Sequence, residues 1–337
     1  MTERMTGAGR GGGAAARAAV AIAAAACGSS SPPPPGVQLA QAIGAAVDAA
    51  QGQRVPWRCA APDGPKLADE TLTAGKRAWK LAGGTMRLAG PAGDGAFTVG
   101  VVADAGGAAP TTIAALGALR GKLLGADLVL ALGGMGASQA ELEATLGALA
   151  EGAAWPVVAL PGDLEPAGDQ AAAIARLRAK GLVIIDGRLA RLIELPGATI
   201  ATIPGAGAAA RLIAGAEGCG YRAADVATAL GELSKREGLR ILASAEAPRI
   251  AAGGEPAGEL ALTAGAAQPI DLALHGPTTE AATPARAGGR DGAAAALTPG
   301  SSDATTRLPG PRRAPSAGLL VVEGGAWRWK PVTGAAD

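Results

Sequence analysis

The sequence reads FTVGVVADAGG at 97–107, DLVLALGGMG at 127–136 and PVVALPGDLE at 156–165, and these three runs decide the fold. Each begins with aliphatic or β-branched residues, as strands buried on both faces do, and ends in a loop of small residues. Pro110 and the Ser138–Glu141 capping box open helices between the runs. The carboxyl ends of parallel strands meet at one sheet edge, so the three loops are expected to lie together, where α/β proteins bind ligands.

Flanking segments complete an α/β pattern. Asp169 is expected to cap a helix that ends near Gly181, and Asp186-Gly187 predicts a hairpin between 182–185 and 189–195. Further strands are expected at 198–203, 240–244 and 270–274, a helix at 223–236, and hairpins at 78–88 and 318–331. Alternating βα units followed by hairpins predict a mixed β-sheet sandwich flanked by helices.

Composition limits the classes of function. The chain has 337 residues, of which 49% are hydrophobic and 2% aromatic, so its core must be built mainly from aliphatic side chains. The formal net charge is +1 and no basic stripe is visible, which argues against nucleic acid as the main partner.

The N-terminus is typical of a targeting segment. Arg4, Arg10 and Arg17 precede an apolar run that ends at Cys27, and Ala24-Ala25-Ala26-Cys27 resembles a bacterial lipobox. The resemblance implies cleavage before Cys27 and its lipidation, with the membrane as partner through the anchor. In such lipoproteins an Asp after the cysteine favours retention in the inner membrane, so the resemblance implies that Gly28 directs this chain to the cell envelope at the outer membrane or facing the periplasm. An ordinary secretory cleavage site and an Ala-rich disordered start are the alternatives.

These features divide the chain into four parts. Residues 1–27 form the predicted lipoprotein signal peptide, and 28–36 a Ser/Pro tether that extends from the membrane. Residues 37–95 form an N-terminal helix and strand region, and 96–337 the main domain. Within that domain, residues 281–316 are rich in Gly, Pro and Ala and predict a mobile loop without regular structure.

The order of the loops resembles the calcineurin-like metallophosphoesterases, which carry D-x-H, G-D, G-N-H-D/E, a lone His and G-H-x-H at successive strand ends. Asp104 matches the first Asp, and Asp163 replaces the Asn of the third block. The other matching positions have lost their ligand or catalytic side chains: they are Gly106, Gly134, Leu164, Ala245, Pro277 and Thr279. His275 precedes the last block and does not match a ligand position.

The resemblance implies a four-layer fold in which two metal ions clamp a phosphate ester and activate water. Only Asp104 and Asp163 remain as weak candidate ligands, and two carboxylates cannot rebuild a dinuclear centre. We therefore expect a pseudoenzyme with no cofactor and a binding or structural role. The alternative is a divergent phosphoesterase that uses divalent metal ions.

Two cysteines remain if Cys27 carries lipid. An oxidising envelope favours a disulfide between Cys59 and Cys219, although both could instead be buried thiols.

The lipobox is testable in cells. Cys27→Ser removes the thiol that would be acylated, so we expect the protein to move from the membrane fraction to the soluble fraction. Immunoblotting of fractionated cells measures this, with Ser30→Ala in the tether as the matched control. Identical partitioning of Cys27→Ser and the parent would contradict the lipoprotein interpretation.

Overall fold

The structure, a computed structural model, describes residues 58–61, 64–89, 96–207, 211–247, 270–276, 295–303 and 314–334. The predicted signal peptide, tether and helix at 37–50 lie outside the described residues. Pro277 and Thr279 also lie outside them. Among the described residues, no helix is long and apolar enough to cross a membrane.

The first sheet is built from the three apolar runs and the C-terminal residues. Its strands are β4 (Phe97–Val102), β5 (Leu128–Leu132), β6 (Val157–Leu160), β7 (Ile184–Asp186), β13 (Ser316–Glu323) and β14 (Ala326–Thr333). They lie in the order β14-β13-β4-β5-β6-β7. Strands β4 to β7 are parallel, while β13 and β14 form the predicted C-terminal hairpin and β13 pairs antiparallel to β4.

Helices α1 (Pro110–Lys122), α2 (Gln139–Ala150) and α3 (Ala167–Ala179) connect the parallel strands. Ser138 caps α2 as predicted, since its Oγ accepts from the Glu141 N–H at 3.3 Å. The Glu141 side chain accepts from the Ala137 N–H at 2.7 Å, one residue before the donor that a capping box would use. The prediction that Asp169 caps α3 is wrong, because Pro166 occupies the N-cap position. Asp169 lies in the first turn and accepts from the Gln139 N–H at 3.1 Å, so it stabilises the start of α2 instead.

The second sheet has eight strands. They are β1 (Leu67–Ala74), β2 (Arg77–Gly83), β3 (Thr85–Ala89), β8 (Leu192–Leu195), β9 (Ala198–Ile203), β10 (Leu239–Ser244), β11 (Leu272–His275) and β12 (Ala295–Leu297). Their order is β1-β2-β3-β8-β9-β10-β11-β12. This sheet is also mixed: β1, β2 and β3 are antiparallel, and β9 to β12 are parallel. Helix α4 (Ala223–Ser234) packs on β9 and β10.

Three apolar clusters bind the layers together. The largest fills the space between the sheets and contains Trp79, Met86, Leu130 and Ile200 among its members. A second lies between the six-stranded sheet and helices α1 to α3, and a third between the eight-stranded sheet and α4. The order is therefore helix, sheet, sheet, helix, and the predicted α/β sandwich of mixed sheets is confirmed.

The predicted hairpin around Asp186-Gly187 is wrong. β7 ends at Asp186 in the six-stranded sheet, and the chain crosses to the other sheet before β8. Asp186 binds the Arg188 guanidinium, and a methyl group on Gly187 would lie 2.7 Å from the Ala159 carbonyl oxygen. The hairpin turn is instead at Gly197, which has φ +71° and joins the antiparallel strands β8 and β9.

Within the described residues, the expectation that 281–316 lacks regular structure is wrong at β12. β12 pairs parallel to β11, and Ser302 donates from its backbone N–H to the Ala103 carbonyl at 2.9 Å. Ser301 Oγ also donates to the Asp104 carbonyl at 2.9 Å. Composition did not predict β12, because a short alanine-rich segment becomes a strand through pairing with a neighbouring strand and not through its own β-propensity.

The structure joins Cys59 and Cys219, the pair considered from the sequence, in a disulfide. The bond ties the first described segment to the residues just before α4. Next to it, Arg58 Nε donates to the Asp225 carboxylate at 3.0 Å, which fixes the same segment to the first turn of α4.

Removal of this disulfide should destabilise the protein. The bond joins residues 160 positions apart in the sequence, and the chain-entropy model gives about 5 kcal/mol of stabilisation for so long a loop. We expect Cys59→Ala with Cys219→Ala to lower the urea midpoint under non-reducing conditions. The parent treated with dithiothreitol should unfold at the same midpoint as the double variant. Two free thiols in the denatured, unreduced chain carrying Cys27→Ser would contradict the pairing.

Candidate functional site

Three loops follow the parallel strands β4, β5 and β6 and touch through their backbones. The Asp104 N–H donates to the Gly133 carbonyl at 2.8 Å, and the Gly106 N–H donates to the Gly134 carbonyl at 2.8 Å. A methyl group on Gly133 would lie 2.8 Å from the Gly162 Cα. The loops that the sequence placed at one edge are thus in direct contact.

The second sheet supplies the other side of this site. Ala245 follows β10, and its Cβ would lie 2.8 Å from a Cβ built on Gly133. Gly276 follows β11, where a methyl group would lie 2.4 Å from the Ala245 carbonyl oxygen. The structure therefore brings together the described members of the predicted set, which come from both sheets.

Gly134 is where the first two loops approach most closely. Its φ is +70°, and a Cβ there would lie 2.7 Å from the Asp104 Cα and 3.2 Å from Asp104 Oδ1. Asp104 has φ +52°, a left-handed conformation that Asp tolerates better than most residues. A larger side chain at position 134 would have to displace the backbone of the neighbouring loop.

Asp163 and Leu164 lie in the third loop and are both half-buried. The Asp163 carbonyl accepts from the Ala214 N–H at 3.0 Å, and the Pro161 carbonyl accepts from the Gly205 N–H at 2.8 Å. The third loop is therefore bonded to Gly205 and Ala214, which precede Cys219 in the sequence.

Glu165 is a site residue that sequence reasoning missed. Its side chain is buried; Oε1 accepts from the Met135 N–H at 2.5 Å and Oε2 from the Gly162 N–H at 2.8 Å. The pKa of Glu165 is raised to about 7, and burial of the side chain is the largest cause. The backbone hydrogen bonds from Gly162 and Met135 act in the opposite direction and only partly offset the burial. Its place at the end of the G-N-H-E block was the available signal.

A second buried carboxylate, Glu246, was also missed. Its Oε2 accepts from the Tyr221 hydroxyl at 2.6 Å and from the Gly207 N–H at 2.9 Å, and Oε1 lies 3.1 Å from the Arg211 guanidinium. These contacts anchor the segment before α4 against the end of β10. No motif marks them, because the partners are brought together only by the fold.

His275 lies at the end of β11 and is buried. Its Nδ1 lies 2.7 Å from the Gly276 carbonyl oxygen, so this nitrogen is the donor of a neutral ring. Burial lowers the pKa of His275, which favours that neutral form. The ring is held as a structural element of the strand end.

The described side chains do not fit a dinuclear metal centre. In the described part of the chain, no group of three or more His, Cys, Asp and Glu side chains is placed to hold a metal ion. Asp104 and Asp163 stand on separate loops, and a side chain at position 134 would meet the Asp104 backbone. A two-metal site requires several convergent ligands, including one that bridges both ions.

Solved structures with similar folds are found at low sequence identity. TT1561 of Thermus thermophilus has a TM-score of 0.51 and 16% identity, covering 71% of this chain and 99% of that chain. Purple acid phosphatase PPD1 from yellow lupin has a TM-score of 0.47 and 10% identity. The similarity covers 77% of this chain and 57% of that chain. GAP50, the anchor in the inner membrane complex of Plasmodium, has a TM-score of 0.44 and 12% identity. The similarity covers 72% of this chain and 85% of that chain.

At 16% identity the similarity to TT1561 concerns the fold alone. No protein-family model matches the chain, and no curated protein matches it. The two mixed sheets with helices on their outer sides form the α/β sandwich that the sequence predicted.

Glu165 should make stability depend on pH. The pKa of Glu165 is about 7 in the folded protein and 4.5 in the absence of the fold. At a pH between these two values, Glu165 is therefore protonated in the folded state and ionised in the unfolded state. The free energy of unfolding should therefore fall by ~3 kcal/mol as the pH rises from below the unfolded-state pKa to above the folded-state pKa. Urea unfolding across this range measures the slope.

The matched comparison is Glu165→Gln against Glu237→Gln, which changes an exposed Glu on the surface. Gln does not titrate, so Glu165→Gln should remove this fall in stability while Glu237→Gln keeps it. A slope that survives unchanged in Glu165→Gln would show that the dependence has another source.

Proposed function

We propose that this chain is a lipid-anchored protein of the cell envelope that keeps a metallophosphoesterase-like fold for binding or structure and does not hydrolyse phosphoesters. The fold supplies the framework on which the family builds its metal site. At the centre of that framework this chain has placed glycines and backbone contacts in place of metal ligands.

The observation that carries the proposal is the closed contact between Gly134 and Asp104. In the resembled motif the second position of G-D is an Asp that bridges two metal ions. Here that position has positive φ, and a Cβ would lie only 2.7 Å from the Asp104 Cα. Backbone occupies the space into which a bridging carboxylate would have to project.

Hydrogen bonds support the same interpretation. The loops after β4 and β5 are joined by two backbone bonds of 2.8 Å, and Glu165 joins the loops after β5 and β6. These bonds hold the strand ends together by protein groups, which is the task that shared metal ligands perform in a dinuclear enzyme. The site is consequently stable in shape without a cation.

Electrostatics also oppose phosphoester binding. Asp104 and Asp163 are acidic side chains at matching positions, and both would repel a phosphate in their ionised form. The described positions that would supply imidazoles are Gly106, Leu164 and Ala245, whose side chains cannot bind a metal or transfer a proton. General acid–base catalysis contributes typically ~10²–10⁴-fold, and the charge clamp and activated water of a metal centre contribute more.

The test is metal content and turnover of the full chain carrying Cys27→Ser. We expect no stoichiometric Mn, Fe or Zn by mass spectrometry and no hydrolysis of an aryl phosphate above a boiled sample. Asp104→Ala and the exposed-surface control Asp69→Ala should both leave this background unchanged. A stoichiometric transition metal and a turnover that Asp104→Ala alone abolishes would establish the divergent phosphoesterase instead.

Restoring the missing carboxylate gives a second comparison. Gly134→Asp should not recruit metal and should lower stability by ~1–3 kcal/mol more than Gly152→Asp. Both glycines have positive φ, +70° and +67°, but a Cβ on Gly152 has no atom within 4 Å. The difference therefore isolates the close approach at Gly134. Metal binding with activity in Gly134→Asp would contradict the closed site.

A further inference from the structure

The outer face of β1, β2 and β3 carries a group of basic side chains. Trp79, Met86 and Leu72 point into the core between the sheets, so the alternate residues point outward. Lys80 and Arg87 are exposed on that outward side of β2 and β3. Lys66, just before β1, and Lys76, in the β1–β2 turn, are exposed at opposite ends of the same strands.

These four cations differ from most of the others. Within the described part of the chain, none of them makes an ion pair or a side-chain hydrogen bond. Cations elsewhere are paired, as in Arg77–Asp127, Arg178–Glu70, Arg188–Asp186, Arg236–Glu194 and Arg240–Asp271. A nearly neutral chain therefore keeps a local excess of positive charge on one sheet face.

Acids on these strands do not cancel the excess. Asp69 is the exposed acid on β1, whereas Glu70 binds Arg178 at 2.6 Å. Glu194 is the cross-strand neighbour of Arg87, but its carboxylate lies 3.0 Å from the Arg236 guanidinium. Among the described residues of these strands, the four cations are thus opposed by the single exposed carboxylate of Asp69.

Strand register adds an independent observation. Lys80 and Arg87 are direct partners in the antiparallel β2–β3 pair, and Thr71 is the partner of Lys80 on the other side. Like charges directly opposite each other destabilise a sheet. A sheet that retains such a pair on its exposed face is suited to a ligand that brings negative charge.

We propose that the outer face of β1–β3 rests on anionic phospholipid headgroups and orients the anchored domain against the membrane. The inference rests on the proposed lipid anchor, because weak surface charge acts on a bilayer that the anchor already holds close. β1 is the first described strand after the predicted tether, so this face is near the anchor in sequence. A group of exposed Lys and Arg side chains on one sheet face fits a headgroup surface, which is negatively charged.

The experiment uses the full chain with Cys27→Ser, so that no acyl chain contributes to binding. Co-sedimentation with vesicles of phosphatidylglycerol and phosphatidylcholine is compared with pure phosphatidylcholine vesicles at low ionic strength. We expect binding to the anionic vesicles only, with loss at high salt. Each basic residue near such a surface raises the partition coefficient about fivefold, so Lys80→Gln with Arg87→Gln should lower it roughly 30-fold.

The matched control is Arg328→Gln with Lys330→Gln, which removes two exposed cations that neighbour each other on edge strand β14. The control should bind as the parent does. Thermal unfolding should show that the Lys80/Arg87 variant is at least as stable as the parent, since it loses a repulsive pair. Equal losses in both double variants, or binding to zwitterionic vesicles, would overturn the assignment.

Failure here and failure of the anchor give different results. If Cys27 carries no lipid but the vesicle result holds, only the anchor proposal is lost. If Cys27→Ser moves the protein to the soluble fraction but the purified chain does not bind anionic vesicles, the anchor proposal stands and the proposed headgroup contact is wrong.

Discussion

The carboxylate of Glu165 is the contact on which the candidate site depends. It accepts backbone N–H groups from Met135 and Gly162, which belong to two different strand-end loops. A buried carboxylate is costly unless its oxygens are satisfied, and here each oxygen has a backbone donor. The loops are thereby fixed relative to each other, and through Gly133 and Gly134 they fix Asp104 as well.

This arrangement explains how the strand-end loops keep their relative positions through contacts between protein groups. In this chain glycines occupy the converging positions, so backbones approach closely enough to bond to each other. Ser301 and Ser302 extend the same network by binding the carbonyls of Asp104 and Ala103. The disulfide and the Arg58–Asp225 ion pair fix the surroundings by tying the first described segment to α4.

Local sequence by itself determined the βα order, the capped helix at Ser138 and the positions of the strand-end loops. Apolar runs, capping residues and glycines act over a few residues, so their signals can be read from the chain. The sequence also placed Asp104, Gly134 and Asp163 in those loops. It identified Cys59 and Cys219 as a possible disulfide pair but could not show whether they lie close enough to bond.

Tertiary structure alone decided the rest. Gly187 carries the chain from one sheet to the other instead of turning a hairpin, because whether β7 and β8 pair depends on the sheets and not on the turn. β12 forms only because β11 offers it an edge, and Asp169 serves α2 rather than its own helix. The roles of Glu165 and Glu246 depend on donors that the fold brings to them from other loops, and no short-range pattern records such contacts.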